Sequence, residues 1–412
     1  MKVLLSAYAC EPNYGSEPGV GWRWALELAK LGYEVFVVTR EMHKEEIEKE
    51  LAKEEYNLIR EKMHFFYYDI SFWRRKRGGR FVQIHYILWQ IGIVKYVKPI
   101  IDTYKIDILH HVTFGVFRHI SFLAFFNKFF IFGPVGGGER VPFRLRRSYT
   151  FKGFVLDLIR DLLNCIAYID PLLRYMYKKT DIILCKNEET KKFIPSKFHY
   201  KTYTVLEVGS DDKDINEIYS LKENSSEKFK LLFVGRLVYL KGVDIAIRAF
   251  KLLNEKYKNT QFVIVGDGKE KKYLLELVNK LQLSKSVLFV GKVPYSKVKD
   301  YYIDSDLFVF PSLHDSSGNV LIEALSAGLP VLCLNIGGPG VIVDSSCGIK
   351  INVKYKSYNE IVQELGMQMI ELYENRELLR KLSKGALERA KNLLLRNNVE
   401  YVYNELVSKM KD

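Results

Sequence analysis

Short apolar segments alternate with amphipathic segments in two separate parts of this 412-residue chain. The first 40 residues read as an apolar run (KVLLSAY), a glycine-containing loop (NYGSEPGVG), a helical pattern (WRWALELAKLG) and a second apolar run (YEVFVVTR). The alternation starts again after Lys228 and continues for four or five units, as far as LPVLCLN. Such alternation predicts parallel β-sheets covered by helices. We therefore expect an α/β protein built from two doubly wound Rossmann-like domains.

A polar segment, EVGSDDKDINEIYSLKENSSEK, separates the two alternating parts. We predict a first domain over residues 1–205, a second domain over residues 206–385, and a C-terminal helix over residues 386–412 that packs back toward the first domain. Two doubly wound domains joined by a linker face each other across a cleft between the carboxyl ends of their sheets, which is where such sheets bind ligands. We therefore look for site residues in the loops that follow the strands.

The cysteines and the apolar segments indicate where the protein works. The five cysteines are scattered and form no CxxC pair, which favours a reducing compartment and argues against structural zinc. The first residues, MKVLLSAYAC, imitate a lipoprotein signal, but their apolar core is too short, and we interpret them as a buried strand. No window reaches about 18 uninterrupted apolar residues, so we expect no transmembrane helix. A cytoplasmic protein is expected, with a peripheral position on the inner face of the membrane as an option.

The net charge of +14 favours acidic partners such as phosphorylated small molecules or anionic lipid. Between Ser71 and Ile100 the chain carries seven Lys or Arg residues and no acid, with aromatic residues interleaved. The densest part is the run Arg74, Arg75, Lys76 and Arg77. This run could contact an anionic membrane surface, or it could be a basic loop that precedes an ordinary core helix. Nucleic-acid binding rests on charge alone, and we do not expect it.

The second part of the chain contains a strand followed by glycine and two cations, FVGRLVYLKG. Gly235 allows a tight turn, and Arg236 and Lys241 could both reach a dianionic group near the following helix. The alternative is a solvated loop with two surface cations. Two further glycine loops, in VIVGDGKE and LFVGKVP, are weak evidence because many βα units contain such turns.

The most informative stretch is PSLHDSSGNVLIEALSAGLPV, which carries Asp315 and Glu323 eight residues apart. We predict that a helix begins near Asn319 and ends at the Gly328–Pro330 breaker. Small residues before the helix would leave its first backbone N–H groups open to an anion. Glu323 lies within an apolar run and needs hydrogen-bond partners, which ligand hydroxyls could supply. The alternative is a turn aspartate and a helix glutamate without a shared role.

These motifs, taken in order, resemble those of the retaining glycosyltransferases of family four, which have the GT-B fold. The resemblance rests on GRLVYLKG, VGDG, FVGKV and PSLHDSSGNVLIEALSAGLPV, which cover residues 231–338 well. The segments SAYACEPNYGSEPGVGW and GPVGGGE resemble a subgroup and extend the match toward the N-terminus. The first acid of the carboxylate signature is often Glu in this family. Here it is Asp315, which keeps the charge but shortens the reach by one methylene.

The resemblance implies a nucleotide-diphosphate sugar as co-substrate and a role for each matching residue. Glu323 would hold the ribose, Arg236 and Lys241 the diphosphate, and Asp315 the donor sugar. The other residues that the resemblance places around the donor are Gly15, Ser16, Gly235, Gly291, Lys292, Gly318, Asn319 and Val320. With two cations and a helix terminus, the site would need no metal. The family has a His near the sugar, for which DILHHVTF offers His110 and His111; we favour His111 because it is nearer the loop.

The sequence therefore predicts transfer of a hexosyl group from a nucleotide sugar to a saccharide or lipid-linked saccharide, with the anomeric configuration retained. This reaction would serve the synthesis of cell-surface polysaccharide or glycolipid. A non-catalytic nucleotide-sugar-binding protein and a phosphorylase of the same fold remain alternatives. A nucleotide-dependent oxidoreductase is disfavoured, because GSEPGVG is not the usual GxGxxG and Glu41 is a loose match for the ribose-binding acid.

Overall fold

The structure is a computed structural model that describes residues 1–14, 17–70, 82–149, 151–210 and 228–411. It contains two parallel sheets, each built from strands that alternate with helices along the chain. The predicted α/β class with two Rossmann-like sheets is therefore confirmed.

The first sheet uses the apolar runs of the N-terminal half. Its strands are β1 (Lys2–Ser6), β2 (Glu34–Thr39), β3 (Met63–Tyr67), β4 (Ile108–His111), β5 (Phe129–Val135), β6 (Ile182–Cys185) and β7 (Thr202–Thr204). The spatial order is β3–β2–β1–β4–β5–β6–β7, and Val3 of β1 lies opposite both Val35 of β2 and Ile108 of β4. The chain order reverses between β1 and β4, which makes their carboxyl ends the topological switch point of this sheet.

The helices of this half are α1 (Glu17–Lys30), α2 (Lys44–Leu51), α3 (Val82–Tyr104), α4 (Phe151–Ile169), α5 (Pro171–Lys179) and α6 (Glu188–Lys191). Large aromatic side chains fix α1 and α3, because both Trp24 and Trp89 are fully buried. Their indole N–H groups donate to the carbonyls of Glu207 (3.0 Å) and Tyr68 (2.9 Å). A buried tryptophan needs such a partner for its one polar atom.

The second sheet comes from the C-terminal half. Its strands are β8 (Phe229–Val234), β9 (Thr260–Val265), β10 (Val287–Gly291), β11 (Leu307–Phe310), β12 (Val331–Leu334) and β13 (Gly348–Ile351). The spatial order is β10–β9–β8–β11–β12–β13, with every pair parallel. The switch point of this sheet lies at the carboxyl ends of β8 and β11.

The remaining helices follow these strands. They are α7 (Val243–Lys256), α8 (Lys271–Lys280), α9 (Tyr295–Ile303), α10 (Asn319–Ser326), α11 (Gly337–Ile342), α12 (Tyr358–Glu374), α13 (Arg376–Asn392), α14 (Leu395–Glu400) and α15 (Val407–Lys411). A π-helical turn, Tyr401–Leu406, joins the last two. Helix α10 begins at Asn319, as predicted, and Gly328 after its end has φ +62°. Helices α7 and α12 approach closely at Gly366, where a Cβ would lie 2.5 Å from Leu252 Cδ1.

The chain divides into two compact units. The first contains Met1–Gly138, Leu162–Val208 and Leu395–Asp412, and the second contains Glu139–Asp161 and Gly209–Leu394. The predicted ranges differ from these units chiefly at Glu139–Asp161, a segment that belongs with the second unit although it lies between two strands of the first sheet. Its contacts explain the assignment, because the Tyr149 and Tyr239 rings lie 4.6 Å apart and Arg144 donates to the Tyr355 carbonyl at 2.8 Å.

Candidate active site

Three glycine loops meet at the carboxyl ends of β8, β9 and β10 in the second unit. The Gly235 N–H donates to the Val265 carbonyl at 3.0 Å, and the Gly266 N–H donates to the Gly291 carbonyl at 2.8 Å. Gly266 has φ +140°, and a Cβ there would lie 1.9 Å from the Gly235 oxygen. In the sequence, a glycine loop alone was weak evidence for a binding site. Together the three loops form one surface in which a side chain at position 266 would separate two neighbouring loops.

The cations predicted for this edge have different surroundings. Arg236 and Lys292 are exposed, each directly after one of the loop glycines. Lys241 is mostly buried, and its ammonium lies 5.2 Å from the centroid of the Phe310 ring. The loop around Lys241 touches the end of β11, because a Cβ on Gly242 would lie 2.2 Å from the Pro311 oxygen. Lys241 is therefore held at the switch point, whereas the side chain of Arg236 is exposed to solvent.

Asp315 is joined to Lys241 by an ion pair that links the loops after β8 and β11. Its other oxygen, Oδ1, accepts hydrogen bonds from the N–H groups of Gly318 (2.8 Å) and Ser317 (3.1 Å). Burial raises the pKa of Asp315, but the Lys241 charge and these hydrogen bonds lower it more, so its pKa lies below the ordinary value. The carboxylate is therefore ionised at neutral pH and fixes the loop.

The loop before α10 is fixed by its own carboxylate. The N–H groups of Ser317 and Gly318, directly before the helix, donate to Asp315. That the first N–H groups of the helix itself meet an anion stays a prediction. Gly318 caps the helix with φ +68°, and Asn319 and Val320, which follow it, are half-buried. The protein thus supplies its own anion for part of this terminus.

Glu323 has a protein partner that the sequence did not predict. The Tyr302 hydroxyl of α9 donates to Glu323 Oε2 at 2.9 Å. Burial, and then the nearby Glu323 charge, raise the pKa of Tyr302 well above its usual value, so the phenol remains a donor. The tyrosine orients a carboxylate that lies about one turn into an otherwise apolar helix. The sequence places Tyr302 in the helical segment SKVKDYYIDS. Hydrophobic periodicity alone, however, does not show which residue the Tyr302 hydroxyl binds.

Two further residues beside Asp315 were missed by sequence reasoning. Glu139, the last residue of GPVGGGE, is fully buried, and its Oε2 lies 3.6 Å from Nε2 of His314. Burial lowers the pKa of His314 to about 4, although Glu139 acts in the opposite direction. The Asp315 carbonyl also accepts from the Gly338 N–H at 2.8 Å, and a Cβ on Gly337 would lie 2.3 Å from this carbonyl. The glycines of IGGPG therefore let α11 pack against the Asp315 loop.

The two candidate histidines lie at the end of β4 in the first unit. His110 is fully buried, and both ring nitrogens are bound, Nδ1 to the Tyr403 hydroxyl (2.8 Å) and Nε2 to the Gly133 carbonyl (2.7 Å). Burial lowers the pKa of His110 to about 4. Both ring nitrogens of His110 are thus bound within the protein, and a role for His110 in the site stays a prediction.

His111 has a different environment from its neighbour. Its Nε2 lies 3.3 Å from the Tyr86 hydroxyl, and its Nδ1 has no hydrogen-bond partner among the described residues. Burial, and then the neighbouring His110, lower the pKa of His111 to about 3, so the ring is neutral. A catalytic role for His111 stays a prediction. Gly15 and Ser16, and the basic run Arg74, Arg75, Lys76 and Arg77, lie outside the described residues.

Comparison with known proteins agrees with these features. Residues 215–389 match the family model described as glycosyl transferases group 1. An uncharacterized glycosyltransferase of Methanocaldococcus jannaschii is 32% identical over 256 residues, which cover 53% of this chain and 61% of that protein. The alpha-monoglucosyldiacylglycerol synthase of Acholeplasma laidlawii is 27% identical over 227 residues, covering 54% and 53% of the two chains. The chain thus aligns with between half and two thirds of the length of these two relatives.

Solved structures match over nearly the whole chain at low sequence identity. Sucrose-phosphate synthase from Thermosynechococcus elongatus superposes with a TM-score of 0.68 at 15% identity, covering 99% of both chains. Anabaena Alr3699/HepE in complex with UDP and glucose gives a TM-score of 0.61 at 15% identity, again over 99% of both chains. The fold is GT-B. The resemblance found in the sequence is confirmed as a match of residues 215–389 to the glycosyl transferases group 1 model, and retention of the anomeric configuration stays a prediction.

Proposed function

We propose that the protein is a retaining hexosyltransferase that uses a nucleotide-diphosphate sugar as donor. The observation that carries the proposal is the Lys241–Asp315 ion pair at the switch point of the second sheet. It holds a cation and a carboxylate together where doubly wound sheets bind ligands. Glu323, oriented by Tyr302, follows on the same β11–α10 segment. Groups for a sugar, a diphosphate and a ribose thus occur within one small part of the fold.

In the proposed mechanism the protein mainly stabilises the leaving group. The bond between the anomeric carbon and the diphosphate oxygen breaks while the acceptor hydroxyl forms a new bond on the same face. The acceptor proton passes to the departing phosphate oxygen, so no protein nucleophile is needed. Arg236 and Lys241 act where negative charge develops, which is the arrangement that lowers the barrier most. Glu323 holds the ribose through its hydroxyl groups, and His111 is proposed to contact the donor sugar.

We propose that this site works without a resident metal ion. Arg236 and Lys241 supply two positive charges for the diphosphate, and the loop after β11 already holds its own carboxylate by hydrogen bonds. Metal-dependent sugar transfer requires carboxylates that are available as ligands. Asp315 is occupied by Lys241 and by two backbone N–H groups. Addition of a chelator should therefore leave turnover unchanged.

For the acceptor we propose a saccharide or lipid-linked saccharide in the synthesis of cell-surface polysaccharide or glycolipid. The match to an alpha-monoglucosyldiacylglycerol synthase supports a glycolipid context. The proposal places the protein in the cytoplasm, at the inner face of the membrane. Among the described residues no helix is long and apolar enough to cross a bilayer.

The test begins with thermal shifts in the presence of UDP-, GDP- and dTDP-sugars, since a bound donor stabilises the folded state. We expect one nucleotide to raise the melting temperature of the wild type. Glu323→Gln should weaken donor binding by about 10- to 100-fold, the effect of losing hydrogen bonds to a charged group. Glu276→Gln on α8 is the matched control, because Glu276 is an exposed glutamate of the same unit.

Analysis of the product and of the turnover requirements then determines the stereochemistry of transfer and the co-substrate. NMR of the first product formed should show the anomeric configuration of the donor. An inverted product would contradict the mechanism. Turnover that requires inorganic phosphate and no nucleotide would identify a phosphorylase. Donor binding without any transfer, across a panel of saccharide and glycolipid acceptors, would favour the non-catalytic alternative.

A further inference from the structure

Large apolar side chains are exposed in the first unit on the end of α4, from Leu162 onward, and on the next helix, α5. They lie on the last part of α4 and on α5: Leu162, Leu163, Ile166, Ile169, Leu172 and Tyr175. Each is between 45% and 66% exposed. Phe125, in the 3₁₀ turn Phe122–Phe125, extends this surface because its ring stacks on Tyr175 at 5.6 Å. We call these seven residues the apolar face.

The helices that carry the apolar face are firmly attached to the first unit through their other side. Asn164 of α4 donates to the Gly137 carbonyl at 3.0 Å and accepts from Arg118 at 2.8 Å. Leu173 and Met176 of α5 are buried in the core. The exposed residues are therefore not the result of a loosely packed helix. Their side chains point outward from a fixed scaffold.

Exposed apolar surface of this extent is uncommon on a soluble domain. Such patches mark sites where a partner or a membrane covers the side chains. In α4 the exposed residues recur at helical spacing, with Leu162 and Ile166 one turn apart and Ile169 in the next turn. Apolar residues exposed at helical spacing on a helix whose other side is packed against the protein can enter the plane of a membrane interface.

The charges around the apolar face favour an anionic surface. From Leu162 to Lys179 the sequence contains Arg174, Lys178 and Lys179, and Asp170 is the one acid. The Asp170 carboxylate caps α5 by accepting from the N–H groups of Leu172 (2.8 Å) and Leu173 (3.0 Å). Lys178 and Lys179 are exposed at the end of α5. Exposed lysines beside inserted apolar residues bind the phosphates of anionic lipids.

We propose that the apolar face docks onto a bilayer that contains anionic phospholipid. Leucine and isoleucine side chains of α4 enter the boundary between head groups and acyl chains. Tyr175 lies at head-group level, where aromatic residues with a polar end are enriched, and Lys178 and Lys179 contact lipid phosphates. A second copy of the chain fits less well, because an isologous contact would bring like-charged lysine pairs near each other. The proposal does not rest on the proposed function, since the apolar face needs no sugar donor.

The first experiment is flotation of the full-length protein with vesicles. Vesicles of phosphatidylcholine alone are compared with vesicles of equal parts phosphatidylcholine and phosphatidylglycerol. We expect Leu162→Ser/Ile166→Ser to weaken partitioning by about tenfold, since two partly buried apolar side chains are lost. Leu275→Ser/Leu288→Ser is the matched control, because these leucines of the second unit are 41% and 48% exposed. Lys178→Gln/Lys179→Gln should weaken binding to the anionic vesicles by about fivefold for each lysine.

A second measurement follows insertion directly. Leu163→Trp should give tryptophan fluorescence that brominated lipids quench, and Leu275→Trp should not, after subtraction of the signal of the wild-type protein. Helix α3 offers an alternative membrane-binding surface within the same chain. Its residues Ile87 and Ile91 are each 51% exposed and also lie one turn apart. Loss of binding in Ile87→Ser/Ile91→Ser with full binding in Leu162→Ser/Ile166→Ser would overturn the proposal. So would an unquenched tryptophan at position 163, or a concentration-dependent dimer that the α4 variant abolishes.

Discussion

The carboxyl edges of the two sheets differ in how their charged groups are satisfied. In the first unit the Arg40 guanidinium, directly after β2, lies 3.1 Å from Asp69, and Lys186 lies 2.6 Å from Glu207. All four side chains are at most 8% exposed. His85 joins the first pair, with Nε2 3.0 Å from Asp69. In the described part of this edge, these charges are paired inside the protein.

The equivalent edge of the second unit is more open. Its loops are rich in glycine, and Arg236 and Lys292 reach solvent. The Lys241–Asp315 pair is partly exposed, at 14% and 16% for the two side chains. Both sheets share the doubly wound topology, so topology alone does not decide which edge binds a charged ligand. Accessible cations and small loop residues make the second edge suited to a diphosphate.

The largest expected difference between the units is their response to acid. Burial lowers the pKa values of His110 and His119 to about 4 and that of His111 to about 3, all in the first unit. The described part of the second unit has one comparable imidazole, His314, at about 4. A folded pKa below the unfolded value of about 6.5 means that stability is complete above that pH and falls as pH decreases toward 4. At pH 5 each imidazole should cost about 2 kcal/mol.

The sequence itself provides a probe for this prediction. Three of the four tryptophans, Trp22, Trp24 and Trp89, belong to the first unit, and the fourth, Trp73, lies outside the described residues. On acidification, tryptophan fluorescence should therefore change at a higher pH than the far-UV circular dichroism, which reports helices of both units. Coincident transitions across the whole pH range would contradict the difference between the units.

The next largest effect is a contrast between two buried lysines. Loss of Lys186 should mainly lower stability, whereas loss of Lys241 should mainly slow sugar transfer. Lys186→Met should lower the free energy of unfolding by about 3–5 kcal/mol, because Glu207 keeps a buried charge without its cation. Lys241→Met should lower the rate of sugar transfer by about 10²- to 10³-fold, the effect of removing one group that stabilises developing charge. Urea denaturation and steady-state kinetics of both variants measure the two quantities. If Lys186→Met impaired transfer more than Lys241→Met at a temperature where both are folded, the contrast between the edges would be wrong.

The smallest effect concerns two glycines that both have a positive φ. Gly337 of the second unit has φ +59° and Gly32 of the first has φ +93°, so alanine costs each about 1 kcal/mol. A Cβ at Gly337 would also lie 2.3 Å from the Asp315 carbonyl and 3.0 Å from Glu139 Cγ, whereas nothing lies within 4 Å at Gly32. Gly337→Ala should therefore also slow transfer, by about tenfold, because the Asp315 loop must move. Equal kinetics for the two variants would show that the contact is unimportant.

Local patterns predicted a large part of the second unit correctly. The start of α10 at Asn319 followed from small residues before an apolar run, because capping and periodicity act over a few residues. The glycine loops followed from strand–glycine–helix order for the same reason. The adjacent residues His110 and His111 show the limit of prediction from local sequence patterns. Strand alternation places the two rings on opposite faces, but Tyr403 and Gly133, which bind His110, come from distant parts of the chain.

By itself the sequence determined the two parallel sheets, the resemblance of residues 215–389 to group 1 glycosyl transferases and the loops that carry Arg236, Lys241, Asp315 and Glu323. Hydrophobic periodicity and turn chemistry depend on residues that are neighbours in the sequence. The sheets and loops follow from these local patterns. Only the tertiary structure decided the partners: Lys241 with Asp315, Tyr302 with Glu323, and Glu139 beside His314. Ion pairs and buried hydrogen bonds form between segments that folding brings together, so burial and distance, and not sequence spacing, select them.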